Sequence, residues 1–405
     1  MAKTEPEAYV PREALHLWWL GDPGQPRPVG EIRLVQGGRG VGLRYAPAWL
    51  AAGFALSEDL PLVDQLFLPA ERDTAAGSVD DARPDRWGER VIRKFERTPR
   101  LSLLEYLLFA GGDRYGALGV SLEPDAWVPW RNQPTPEFEQ LGEMAEAVRK
   151  VLANEPVPEM QRRLVNPGAS LGGARPKSLL RMEGRQWLVK FNEDDEFDMP
   201  LVEHACMTLA RACGIETAAT RALRLPRGHA VAIERFDRIE GARLHTVSAH
   251  VALRAAGESL GYPEFAQLLR RFLPAREIAR QQAQLFRRMV FNILVDNTDD
   301  HEKNHALLRH PDGSYHLAPA FDVLPTAQGL GYQQMRVGEQ GSESTLGNAL
   351  SASAQFGLKP KAAREIVSEV RTGVGQWAAH FRAHGVRRRD IDYLARFVDR
   401  DALKA

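Results

Sequence analysis

The sequence predicts an α+β protein of two lobes, strand-rich in its first half and helical in its second. Short alternating runs and turn signals prevail up to residue 236, and long stretches of 3.6-residue periodicity follow them. The length of 405 residues and a 44% hydrophobic share suffice for one large two-lobed enzyme.

In chain order, residues 29–34 and 42–45 alternate in the manner of exposed-edge strands. Residues 85–95 carry helical spacing and 101–110 a second helix. The glycines of Gly111-Gly112-Asp113-Arg114-Tyr115-Gly116 mark a turn. Residues 127–135 are rich in proline and tryptophan, as a connector would be, and 137–153 are again helical. Residues 178–182 and 186–191 flank Glu183-Gly184 and form a hairpin. An amphipathic helix over 201–213 is stopped by Gly214, and strands over 221–227 and 230–236 follow it. The second half is expected to be all-helical apart from one hairpin near 305–317, with helices over 276–295, 360–383 and 389–399.

Composition narrows the function. Lys+Arg and Asp+Glu balance at 53 each, so no net positive field grips nucleic acid nonspecifically. Arg387-Arg388-Arg389 reads as solvated surface. No apolar run approaches the roughly 20 residues that cross a bilayer, and Met1-Ala2-Lys3-Thr4-Glu5-Pro6 lacks a signal-peptide core, so no membrane partner and a cytoplasmic location are expected. Cys206 and Cys213 lie about 10 Å apart along one helix, too far for a disulfide, and both are expected in the core. Only nine of the 53 basic residues are lysines, and Lys177, Lys190 and Lys303 fall within the segments below. A compact ammonium suits phosphate.

Three segments could carry chemistry. Gly168-Ala169-Ser170-Leu171-Gly172-Gly173-Ala174-Arg175-Pro176-Lys177 could turn backbone N–H groups onto an anion. A plain glycine turn before a strand has the same composition, and a P-loop is ruled out because Pro176 stands where that motif needs glycine. Lys190 ends the second hairpin strand and Glu203 opens the next helix. That is either the pair by which kinases orient phosphates or a surface lysine and a first-turn acid. The third segment is Asp296-Asn297-Thr298-Asp299-Asp300-His301-Glu302-Lys303-Asn304, followed by a hairpin and Phe321-Asp322. Asp299, Asn304 and Asp322 reproduce the order and spacing of the base, amide and metal aspartate of protein kinases. His301-Glu302-Lys303-Asn304-His305 also matches the zinc-protease pattern, but the polar residues before it and the strand after it do not make the continuous helix which that chemistry needs.

These segments together resemble the HipA family of toxin kinases over nearly the whole chain. Residues 170–177 are similar to its glycine-rich phosphate loop, Glu234-Arg235-Phe236-Asp237-Arg238 to its hinge and residues 298–304 to its catalytic loop. Tyr45-Ala46-Pro47-Ala48-Trp49-Leu50, Pro84-Asp85-Arg86-Trp87 and residues 113–118 are also of the family type. The resemblance implies a protein-kinase-like fold with a strand-rich N-terminal lobe and an all-helical C-terminal lobe. It places a HipA-type subdomain over 1–125, an ATP-binding part over 126–236 and a catalytic lobe over 237–405. It makes Asp299 the general base, Asn304 and Asp322 the Mg²⁺ ligands, and Glu203 the ion-pair support of Lys190. ATP would be met by Gly172, Gly173, Ala174, Arg175, Pro176, Lys177, Lys190, His301, Glu302, Lys303, Asn304, Phe321 and Asp322, and its adenine by the backbones of Glu234, Arg235 and Phe236. Ser170 matches the serine that members autophosphorylate, where added negative charge would repel ATP. The implied partners are a HipB-like helix-turn-helix antitoxin, operator DNA only through that complex, and a protein substrate, glutamyl-tRNA synthetase being the best-known target in the family. Residues 243–250 depart from the version in the best-studied members. A lipid or small-molecule kinase with a similar D-x-H-x-x-N loop and a catalytically silent co-repressor scaffold are the other classes compatible with the chain.

Overall fold

Buried apolar residues along three strands build the first sheet. The computed structural model describes residues 9–131, 133–168, 173–193 and 195–404. Strands β1 Ala14–Trp19, β2 Arg27–Val35, β3 Gly40–Tyr45, β4 Leu66–Phe67, β5 Thr74–Ala75 and β6 Leu118–Ser121 form a six-stranded sheet in the order β4-β3-β2-β1-β6, with β5 parallel to β3. Leu15, Leu17, Val29, Ile32, Val41 and Leu43 are fully buried on its inner face. Helices α1 Pro47–Ala52, α2 Arg86–Phe95 and α3 Leu103–Phe109 belong to this region. Helix α2 has two apolar faces: Ile92 enters the core of this sheet, whereas Trp87 and Val91 enter a different core.

That second core lies under the sheet β7 Lys177–Met182, β8 Arg185–Lys190, β9 Thr220–Arg224 and β10 His229–Glu234, in the order β7-β8-β10-β9. Helices α4 Leu141–Leu152 and α5 Glu159–Arg162 lie in the stretch before it, and Met144 and Val148 of α4 meet Leu180 and Val189 in the core. The β7–β8 turn is the expected tight one, with Glu183 and Gly184 at φ of 53° and 74°, the pair of left-handed residues a two-residue hairpin requires.

Helix α6 Met199–Ala212 enters the largest core, shared with α7 Ala249–Ala255, α8 Tyr262–Phe272, α9 Ala275–Leu294, α10 Leu346–Ser351, α11 Pro360–Val374, α12 Trp377–Ala383 and α13 Arg388–Leu394. The C-terminal half is not purely helical. Besides the ribbon β11 Arg238–Ile239 and β12 Ala242–Arg243, it holds a three-stranded sheet of β13 His245–Ser248, β14 Ala306–Arg309 and β15 Tyr315–Leu317. The β14–β15 hairpin follows the sequence expectation. Strand β13 is four residues long and fully buried, so it carries no polar alternation. The helix expected over 360–383 breaks at Gly375, and Arg387, Arg388 and Arg389 are solvated as expected. Cys206 and Cys213 are free and buried. Among the described residues no helix is long and apolar enough to cross a membrane.

A buried ionic clamp joins the first sheet to the second half. Asp237 is fully buried and accepts from the Arg235 guanidinium at 2.9 and 2.7 Å, from Arg238 at 2.8 Å and from the Gly116 N–H at 2.8 Å. The remaining Arg235 donors reach the carbonyls of Asp113 and Arg114, each at 2.9 Å. Both carboxylate oxygens thus meet donors, Oδ1 one and Oδ2 three, the condition under which a buried charge is tolerated.

Candidate functional site

Two adjoining cavities meet at the exposed carboxylate of Asp299. The first, about 180 Å³, has Lys177 and Lys190 from β7 and β8 on one wall and Asp299, Asn304 and Asp322 on the other. Gly173, Ala174 and Arg175 close it above, and Arg175 is held by Asp195 at 2.8 Å. The three residues picked by spacing therefore face one space, although Asp322 lies 23 residues from Asp299 in sequence.

The lysines are fixed from behind. Lys190 Nζ lies 2.8 Å from Glu203 Oε1 of α6, and both side chains are buried. Its ammonium also pairs with Asp322, which sits in the left-handed region at φ 58° just past β15. Burial alone would raise Asp322, but the Lys190 charge outweighs it and holds the carboxyl down at about 2. Burial raises Glu203, against the pull of the same ammonium. Lys177 Nζ lies 2.8 Å from Asp85 Oδ2, a partner 92 residues away that sequence reasoning did not assign.

Hydrogen bonds from below fix the loop that carries Asp299. Asp296, at φ 56°, accepts from the Gly329 N–H and Arg400, each at 3.0 Å, and Asn297 donates to Asn292 of α9 at 3.1 Å. Asp300 is buried between the Tyr262 hydroxyl and His305 Nε2. These bonds spend the neighbouring polar groups on structure and leave Asp299 to the cavities. Burial pushes the Asp299 carboxyl up, His301 opposes this and the Asp322 charge adds to it. A carboxylate raised in this way is a better proton acceptor near neutral pH.

The other expected site residues are dispersed. His301 and Lys303 line the second cavity, of about 420 Å³, with Asp299 and Asp85. Glu302 pairs with His250 at 2.6 Å, which outweighs burial and lowers its carboxyl to about 2. The Pro176 carbonyl accepts from the Phe191 N–H at 2.9 Å. Phe236 packs against Phe321 with ring centroids 5.3 Å apart and planes tilted by 36°, while Glu234 pairs with Arg185. The N–H groups of Glu234 and Arg235 donate to Ala219 and Gln186, and the Arg235 side chain serves the clamp, so neither side chain faces the first cavity. Ser170 and Gly172 lie outside the described residues. The zinc-protease pattern is not on a helix: a three-residue turn, Glu302–Asn304, separates its histidines, and His305 is extended.

The donor set bears on a metal. Among the described residues no group of three or more His, Cys, Asp or Glu side chains is arranged to hold one. The carboxylates of Asp299 and Asp322 and the amides of Asn297 and Asn304 around one cavity give hard oxygen donors that fit Mg²⁺, an ion normally bound through one or two carboxylates with waters and substrate phosphates completing its shell.

Comparison with known proteins bears on the family and the fold. Residues 169–378 match the HipA-like C-terminal domain and residues 24–121 the HipA N-terminal domain. Y4mE of Sinorhizobium fredii is 26% identical over 339 residues, 77% of this chain and 77% of that protein. Y4dM of the same organism is 27% identical over 155 residues, 35% of this chain and 38% of its own length. Both are named as kinases by inference. The solved structure of HipA from Shewanella oneidensis MR-1, in complex with HipB and its operator DNA, has a TM-score of 0.65 at 17% identity and covers 94% of each chain. That likeness shows the fold. With the C-terminal domain alone matching more than half of its 405 residues, the chain belongs to the HipA family.

Proposed function

We propose that this chain is a toxin kinase of a toxin–antitoxin pair that transfers the ATP γ-phosphate to a serine or threonine of a protein. One observation carries the reading: Asp299, Asn304 and Asp322 line a single cavity with a lysine that Glu203 holds in place. In this reading residues 1–125 form the N-terminal subdomain, 126–236 the ATP-binding part and 237–405 the catalytic lobe.

Lys190 meets the α- and β-phosphates, its ammonium kept in place by Glu203. Asn304 and Asp322 hold Mg²⁺, which when bound neutralises charge on the phosphates. The acceptor hydroxyl enters through the second cavity, where Asp299 takes its proton as the oxygen attacks phosphorus and ADP leaves. Adenine lies toward Phe236 at the hinge. A HipB-like antitoxin is the proposed partner, since the similar Shewanella HipA is found with HipB and operator DNA, and DNA is reached only through it. The proposed site of action is the cytoplasm.

Incubation with labelled ATP and Mg²⁺ tests the reading. The wild type should phosphorylate its own Ser170 and, in a separate transfer also directly from ATP, a protein acceptor, glutamyl-tRNA synthetase being the first to assay. Asp299→Asn should bind ATP and transfer none. Binding without any transfer by the wild type would favour a silent scaffold, and transfer only to a lipid or small molecule would favour that class of kinase.

A further inference from the structure

The first cavity presents two lysines side by side. Lys177 and Lys190 are direct cross-strand partners in the β7–β8 pairing, and both line the space beneath Gly173. Like charges facing each other across a strand pair repel, and both side chains are buried. Each ammonium meets its own carboxylate: Glu203 of α6 at 2.8 Å and Asp85 at 2.8 Å. The Glu203 pair is the familiar kinase arrangement, whereas Asp85 comes from the N-terminal region, at the cap of α2.

Asp85 is held firmly. Its Oδ1 accepts the Gly88 N–H at 2.8 Å and caps α2, while the Trp87 indole N–H donates to the Lys177 carbonyl at 2.7 Å. Gly88 lies so close to the chain ahead of the glycine-rich segment that a Cβ there would stand 1.9 Å from the Pro167 carbonyl oxygen. The first turn of α2 therefore touches the chain on both sides of that segment, at Pro167 before it and at Lys177 after it.

We infer that Asp85 is a positioning residue for polyphosphate, giving the Lys177 ammonium a fixed counter-charge so that Lys177 and Lys190 act as a paired cation floor. The inference rests on the nucleotide reading of this cavity and deepens it, because it makes the N-terminal region part of the phosphate apparatus. Two effects compete when Asp85 is removed. Loss of a carboxylate from the wall attracts phosphate more strongly. Against this, the Lys177 ammonium loses the charged hydrogen bond that fixes its place in the floor, and the cavity loses a positioned cation. At contact distance the second effect is the larger, because a charge-assisted hydrogen bond outweighs attraction through solvent.

Asp85→Asn separates cap from charge, since asparagine caps a helix as well as aspartate does. MgATP titrated calorimetrically into the whole protein should bind Asp85→Asn about tenfold or more weakly than wild type, the worth of one charged hydrogen bond. Adenosine affinity, read by ligand-detected NMR, should stay within about twofold and melting should be little changed, because the lost interaction is with phosphate alone. Asp85→Ala, which also loses the cap, should melt earlier. Unchanged or tighter MgATP binding by Asp85→Asn would overturn the inference. An equal loss for ATP and adenosine would also overturn it and leave Asp85 a brace of the fold. A wild type that binds neither ligand would instead fell the nucleotide reading of the cavity, and the inference with it.

Discussion

Replacing Arg235 by methionine separates the two roles that its position in the hinge allows. The side chain makes two bonds to the fully buried Asp237 and two to the carbonyls of Asp113 and Arg114. In Arg235→Met the carboxylate keeps Arg238 and the Gly116 N–H, each at 2.8 Å, and the Arg114 carbonyl keeps Arg238. The loss is therefore that of hydrogen bonds to a still-paired charge, about 1.5–3 kcal/mol, rather than the roughly 3–5 kcal/mol of a bare buried charge. Methionine fills most of the volume, which keeps any cavity penalty small. Urea unfolding should show the loss as a lower midpoint at unchanged slope. At a temperature where the variant is folded, KM for ATP should stay within about threefold of wild type, because no differential contact to the nucleotide is removed. A stability change below about 1 kcal/mol with a KM rise of tenfold or more would refute the clamp and return Arg235 to the nucleotide site.

Other outcomes follow from the same contacts. His245 is buried between strands, with Nε2 bonded to the Leu56 carbonyl at 2.7 Å, and burial lowers its ring from 6.5 to about 4. The folded protein thus takes up this proton later than the unfolded chain, so stability is full above pH 6.5 and falls by up to about 3 kcal/mol as pH drops to 4; denaturant melts across that window should be flatter in His245→Gln. Gly88→Ala drives a methyl into the Pro167 carbonyl, and because the backbone oxygen cannot turn aside as a side chain would, a loss of about 1–3 kcal/mol is expected in thermal melts, with weaker ATP binding. Asp299→Asn should keep wild-type ATP affinity while single-turnover transfer falls by at least about 100-fold, the usual share of a general base.

Local grammar made much of this protein legible. The Glu183-Gly184 turn between alternating apolar runs gave the β7–β8 hairpin and placed Lys190 at its end, and the spacing of Asp299, Asn304 and Asp322 around a second hairpin gathered them at one cavity. What stayed hidden depends on partners distant in sequence. Asp85 reads as a helix cap, and nothing near it announces Lys177. Arg235 reads as part of a hinge motif, yet its carbonyl partners lie 121 and 122 residues away. Strand β13 escaped notice because a short, wholly buried strand carries no period. The Tyr262–Asp300–His305 contacts that steady the Asp299 loop were hidden by distance as well: His305 stood out only for its zinc-protease pattern, and Tyr262 lies 38 residues from Asp300.

The most direct measurement of the central claim is a crystal structure of the Asp299→Asn protein with Mg²⁺ and a non-hydrolysable ATP analogue. The account predicts a metal bound by Asp322 and Asn304, phosphates against Lys190 and Lys177, and residue 299 facing the γ-phosphate. A nucleotide seated outside this cavity, or a metal held by other residues, would contradict it.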